Sequence, residues 1–353
     1  MRKFTQIFSA LFVALLGFAC ARQDALYKAI KAGDTQQVAQ LIANGEDVNK
    51  HYKKENERTP LMLAAIAKET DIVELLLQNG ADVNDTDING STALMIASVG
   101  GDTELARILL QNNANVNLAD KQGFTPLMLA SRRGNIDVTR LLLTHKAAID
   151  TTNIYGETAL MAASESGYAD TVYLLLQVGA NVNKMNTEKE TALSLASANG
   201  HTDVVKHLLN AKSDINSQNN NGASALMKAS ANNHLETVTV LLEAGANPNL
   251  VDKIGYSALI AASYDGYTDI VKILLKYGAE INNRINEKGE ILAGETALMA
   301  ASRRGHIDTV KVLLAAGADV HIKNNNGQTA LKHANYKKHT HIVNLLREAG
   351  AKE

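Results

Sequence analysis

Hydrophobic and polar positions recur along this chain with a long period. The tripeptide [T/S]-[P/A]-L begins at Thr59, Thr92, Thr125, Thr158, Thr191, Ser224, Ser257, Thr296 and Thr329. The interval is 33 residues throughout, except for 39 between Ser257 and Thr296. A weaker copy, Asp24-Ala25-Leu26, stands 35 residues before Thr59 and brings the count to ten. Three columns never vary. The first is the motif's Leu, from Leu26 and Leu61 to Leu331. The second is an Ala three residues on, from Ala29 to Ala334. The third is another Leu, from Leu41 and Leu76 to Leu346. A fixed period of this length is the signature of stacked supersecondary repeats, each too small to bury its own apolar face.

Residues 158–183 illustrate one repeat. Thr158 is placed to cap a helix N-terminus, and Pro60 and Pro126 follow the equivalent Thr where a missing donor does no harm. Leu160 and Ala163, three apart, share one face of a short helix ending at Ser166-Gly167. A second helix follows with Val172, Leu175 and Leu176 on its buried stripe. Gly179 ends it, and Asn181-Val182-Asn183 opens an exposed turn.

The pattern D-x-x-G-x-T-[PA]-L-x-x-A, then G-H-x-[DE]-x-V-x-x-L-L and G-A-x-x-N, resembles the ankyrin-repeat family over residues 24–351. Gly200-His201-Thr202-Asp203 and Gly305-His306-Ile307-Asp308 carry it clearly. The resemblance implies an all-α solenoid of about ten helix pairs with β-hairpin tips and a concave inner face, over residues 22–353. The first repeat and residues 329–351 would serve as caps, the latter made polar by Lys332, Lys337, Lys338, His339 and His341. Departures from the pattern are specific. Met62, Met95, Met128, Met161, Met227 and Met299 replace the family's His, and read as gap-fillers behind the first helices. Asn113, Lys146 and Lys212 replace the Gly that ends the second helix, and Glu57 and Lys189 replace the tip Gly. A left-handed Lys costs on the order of 1 kcal/mol, so those joints should be weak. Six extra residues lengthen the tip between residues 283 and 294.

Residues 1–21, MRKFTQIFSALFVALLGFACA, follow another rule. A basic start at Arg2 and Lys3 precedes an apolar run from Ile7 to Ala19, which is short for a bilayer span of about 20 residues. This is the pattern of an export signal. Two exits are open: cleavage after Ala21 at Ala19-Cys20-Ala21, or cleavage before Cys20 with a lipid on its sulfur. The segment before Cys20 resembles a lipobox, although Phe18 is bulky and Leu16 stands one position early. The chain is therefore expected in the periplasm or at the envelope, or secreted, with membrane attachment only through Cys20.

Composition narrows the function. Among 353 residues there are no Trp and only 5 Phe, and 35 basic residues face 37 acidic ones. That balance gives no basis for nucleic-acid binding, and a single Cys excludes an internal disulfide framework or a Cys-based zinc site. No phosphate-binding, zinc-protease, serine-hydrolase or dinucleotide motif is present, so no enzyme and no cofactor is expected. A carboxylate opens each second helix from Asp71 to Asp308, where it favours the helix dipole. What remains is recognition of another protein, as a non-catalytic scaffold or adaptor. Positions flanking the tip Gly and near the end of each first helix single out Phe124, Arg132, Arg133, Tyr155, Glu165, Tyr256, Tyr264, Arg303, Arg304 and Tyr336. Aromatics and Arg are the residues most enriched in interface hot spots. A ligand or metal carrier using the Met column or the His-rich C-terminal cap is the alternative.

Overall fold

The computed structural model describes residues 25–286 and 293–352; Cys20, the leader and part of the lengthened tip lie outside them. Among the described residues the chain forms twenty α-helices, one 3-10 turn and no strand. The helices come in ten pairs, grouped in two compact units that meet between Ile154 and Tyr155. In the first unit the first helices are Ala25–Lys31, Pro60–Ala67, Ala93–Gly100 and Pro126–Arg132. In the second they are Ala159–Ser166, Ala192–Ala198, Ala225–Ala231, Ala258–Asp265, Ala297–Arg304 and Ala330–Tyr336. Each is followed by a nine-residue second helix, such as Thr202–Asn210. Helices this short are unstable alone in water. Within each unit, first helices pack on first helices and second on second, which supplies the missing burial.

The caps work as the motif requires. From Thr59 to Thr329, every motif Thr or Ser accepts a hydrogen bond from the backbone N–H three residues on, at 3.2–3.4 Å. The invariant Leu and Ala columns are fully buried, as is the second Leu from Leu76 to Leu346; Leu41 alone is half-buried. One expectation shifts by a residue. In Ala169–Gln177 the buried stripe is Thr171, Val172, Leu174 and Leu175, and Leu176 is only half-buried. Two i, i+3 pairs side by side make that stripe, leaving Leu176 on its border.

Backbone strain falls where the Gly pattern lapses. Asn113, Lys146 and Lys212 have φ of 68°, 64° and 63°, and Glu57 and Lys189 have 60° and 56°. Lys68, Asn233 and Lys338, at the ends of first helices, are also left-handed.

Three hydrogen-bond ladders stitch neighbouring repeats. Asn49 and Asn84 accept through Oδ1 from the backbone N–H of Asp82 and Asn115, and Asn117 accepts from Ala148. In the second unit Asn183, Asn216, Asn249 and Asn282 repeat the pattern. At the tips, Asp87, Asp120, Asn186, Asn219, Asp252 and Asn324 accept from the N–H groups two and four residues on. Those turns then bond tip to tip, as in Lys121 N–H to Asn89 O at 2.9 Å and Asn220 N–H to Glu188 O at 2.9 Å. The expected hairpins are thus tight turns, with isolated bridges at Tyr52–Arg58, Gln218–Ser224 and Val251–Ser257 in place of strands. The third ladder is made by histidine. His201, His234, His306 and His339 reach through Nε2 to the carbonyls of Glu165, Ala198, Tyr264 and Arg303, each at the end of the preceding first helix. Asn135 does the same to Ser98 O at 2.7 Å.

A candidate protein-binding face on the first helices

Two varying positions share one side of the first helices, one just before the motif and one eight residues later. In the first unit they place Phe124 beneath Arg132, whose guanidinium lies 4.7 Å from the ring centroid. Phe124 is 9 % exposed, so the Arg132 stem and the ring cover one another, while Arg133 stands in solvent. Tyr155 and Glu165 are exposed on the first repeat of the second unit.

The remaining five residues singled out by sequence gather in the last three repeats. Arg303 and Arg304 both lie over the Tyr264 ring, at 5.4 and 4.7 Å. Arg303 also holds Glu295 through two parallel bonds, Nε to Oε1 at 3.1 Å and Nη2 to Oε2 at 3.2 Å. Glu295 is 1 % exposed, and burial raises its carboxyl pKa against the pull of Arg303. His333 Nε2 lies 3.6 Å from Glu295 Oε1 and 3.4 Å from the Asn324 amide nitrogen. Burial, then the Arg303 charge, pushes His333 below its ordinary value, and its Nε2 faces the Asn324 amide. Tyr256 is half-buried beside this group, and burial drives its phenol upward. Tyr336 stands free of the packing at 80 % exposure, with Lys337 Nζ 5.4 Å from its ring. Glu295 thus fixes Arg303, and Arg304 and Tyr336 face outward.

A second polar cluster escaped the sequence reading. Glu190 accepts from Ser194 Oγ, from Asn219 Nδ2 at 2.6 Å and from the Lys228 ammonium. Burial acts to raise its pKa, but these hydrogen bonds outweigh burial and hold it below the usual carboxylate range. Lys228 was legible in principle, since Leu195 and Ala261 take its position in neighbouring repeats.

The other candidate chemistry finds its place in the packing. The six methionines of the column are buried, at 1–7 % exposure, against the neighbouring helices. His339 is not on the last helix with His341 but precedes it, because Thr340–Glu348 begins one residue later. Among the described residues no three His, Cys, Asp or Glu side chains gather as a metal site.

The profile of one known family, ankyrin repeats in sets of three copies, matches residues 26–120, 79–153, 101–186, 145–219, 193–285 and 282–353. The chain belongs to the ankyrin-repeat family. It is also 40 % identical over 65 residues to Arf-GAP with coiled-coil, ANK repeat and PH domain-containing protein 2 of Homo sapiens, and equally to those of Oryctolagus cuniculus and Rattus norvegicus. That match covers 18 % of this chain and 8 % of each relative. Ankyrin repeats are in general protein–protein interaction modules and typically non-catalytic scaffolds. In this ankyrin-repeat chain, Arg132, Tyr264, Arg303 and Tyr336 occupy one column near the ends of the first helices, where other repeats have Ala198 and Ala231.

Proposed function

We propose that this ankyrin-repeat chain is a non-catalytic scaffold or adaptor that binds a partner protein through the exposed face of its first helices and the adjoining tips. The observation that carries this reading is the Tyr264–Arg304–Tyr336 surface. It places two aromatic rings where neighbouring repeats have Ala198 and Ala231, and a guanidinium where they have Asn199 and Asn232. Rigid aromatics and Arg bring large contact area at low entropic cost. Arg303, locked on Glu295, positions the Tyr264 ring rather than reaching for a ligand. The test is affinity capture with quantitative mass spectrometry, comparing the wild-type chain with Tyr264→Ala/Arg304→Ala/Tyr336→Ala. All three residues are at least partly exposed, so the variant should fold. Loss of a specific partner is the expected result, and a variant that keeps every partner overturns the reading.

We also propose that the chain is exported, on the pattern of residues 1–21 alone. Intact-mass measurement distinguishes a lipid-modified Cys20 from a free Arg22, and a mass that retains Met1–Ala21 overturns the proposal.

A further inference from the structure

The first unit presents a different surface from the Tyr264–Arg304–Tyr336 cluster. At the exposed position near the end of each first helix, the second unit has Glu165, Ala198, Ala231, Tyr264, Arg303 and Tyr336. The first unit has Lys31, Ile66, Val99 and Arg132. Ile66 is 46 % exposed and Val99 38 %, at equivalent positions of two helices that pack on each other. Ile96 and Leu129 are half-buried three residues earlier in their helices and extend the apolar strip. Soluble proteins leave contiguous apolar surface of this kind where something binds.

The charges carried by the helices of the strip have one sign. None of the four first helices, Ala25–Lys31, Pro60–Ala67, Ala93–Gly100 and Pro126–Arg132, contains an acidic residue. Lys28 and Lys31 stand at one end, Arg132 and Arg133 at the other. Of the carboxylates near this face, Glu55 is engaged by the Tyr27 hydroxyl and by Lys31 at 3.5 Å. Asp87 is buried, accepts from the Asn89 and Ser91 N–H groups and lies 3.8 Å from Arg58 Nε. Both carboxylates are thus already paired with a cation of the same unit. The order along the unit is therefore cation, apolar, apolar, cation.

We infer that this strip binds an extended segment of a partner protein in which two apolar side chains are bracketed by Asp or Glu. Packed helices lie about 8–10 Å apart. Three residues of extended chain span about that distance, so about nine or ten residues reach from the lysines to Arg133. The apolar anchors supply the burial, and the bracketing carboxylates fix register and direction. The inference rests on the reading that the first-helix face is the binding face, and it adds the chemistry of what one part of that face takes.

The test is selection of a random twelve-residue peptide library on the full chain, followed by anisotropy titration of the enriched peptides. Ile66→Glu/Val99→Glu is the first variant, and Arg133→Glu a milder second. Both alter exposed side chains, and circular dichroism with thermal melting verifies that they fold. The expected peptides pair two apolar residues with flanking acids. They bind Ile66→Glu/Val99→Glu at least tenfold more weakly, lose severalfold on Arg133→Glu, and are indifferent to Arg304→Ala/Tyr336→Ala. Peptides that fail only on Arg304→Ala/Tyr336→Ala overturn this inference and leave the proposed function standing. Enrichment of nothing on either surface overturns both. Enriched peptides without acidic residues overturn the assigned chemistry. So does binding to phosphatidylglycerol vesicles that Ile66→Glu/Val99→Glu abolishes.

Discussion

The histidine ladder predicts a coupling between a glycine and a ring thirty-four residues away. A Cβ added to Gly200 would sit 2.4 Å from His234 Nδ1 and 2.7 Å from two ring carbons. Gly200 also has φ of 71°. Forcing Ala into that region costs about 1–2 kcal/mol, and stiffening the unfolded chain returns about 0.4–1. Displacing the ring also breaks its 3.0 Å bond to Ala198 O, worth about 0.5–1.5 kcal/mol. Gly200→Ala should therefore lose about 2 kcal/mol or somewhat more. Gly245 is the internal control, because its φ is 90° and nothing lies within 4 Å of the added atom. Gly245→Ala should lose only the backbone part, about 1 kcal/mol or less. Repeat arrays need not unfold in one step, so amide hydrogen exchange in the Thr202–Asn210 and Leu235–Glu243 helices should accompany urea denaturation. In a His234→Ala background, Gly200→Ala should cost no more than the control. Equal losses for the two single glycine variants, or an additive cycle with His234→Ala, would refute the reasoning. The sequence already hints at the coupling. Gly167, Gly200, Gly266 and Gly305 each face a His, while Asn233 and Lys68 stand in the same column where the next repeat has Tyr267 or Asp102.

Other outcomes follow from features described above. Lys146→Gly and Lys212→Gly relieve left-handed lysines and should each stabilise by about 0.5–1 kcal/mol, read as a raised urea midpoint; no gain would mean that the lysine stems make compensating contacts. The buried hydroxyls of Ser164 and Ser230 have no hydrogen-bond partner, whereas Ser98 Oγ bonds Leu94 O at 2.7 Å. Ser164→Ala and Ser230→Ala should thus be neutral or stabilising by up to about 1 kcal/mol, and Ser98→Ala destabilising by a similar amount; three equal effects would sink this. Glu190, with its folded pKa lowered, contributes stability above its ordinary value of 4.5 and loses it as pH falls through the lower folded value. Glu190→Gln should flatten the acid limb of the stability profile, and an unchanged limb would show that the Ser194–Asn219–Lys228 cluster is not its source.

The repeat architecture is legible in the sequence because its causes are local. Thr158 caps its own helix and Leu160 meets Ala163 within one turn, so a window of a dozen residues contains the whole argument. What escaped is how side chains pair once the helices have formed and stacked. Nothing near Phe124 announces that Arg132 will cover it, since the two are eight residues apart and meet only once the helix has formed. Arg303 reads as a free cation until Glu295, buried by the stack, claims it. Lys228 reaches a carboxylate 38 residues away, and the Ser194 that helps hold it looks like a lapse in the Met column. Polar side chains find partners across the stack, at separations no hydrophobic period encodes.

The lengthened tip is pinned shut at its base. Ile285 N–H bonds Glu295 O at 3.0 Å, and Gly294 N–H returns to Ile285 O at 2.7 Å. Arg284 straps the junction to Lys323 O at 2.9 Å, and Asn325 N–H bonds Ala293 O. The register of the following repeat is thus settled before the extra residues begin, and their number hardly matters to the stack: doubling such an excursion costs only about 0.6 kcal/mol. Evolution, or an engineer grafting a foreign epitope, has a port there that can be enlarged without renegotiating anything beneath it.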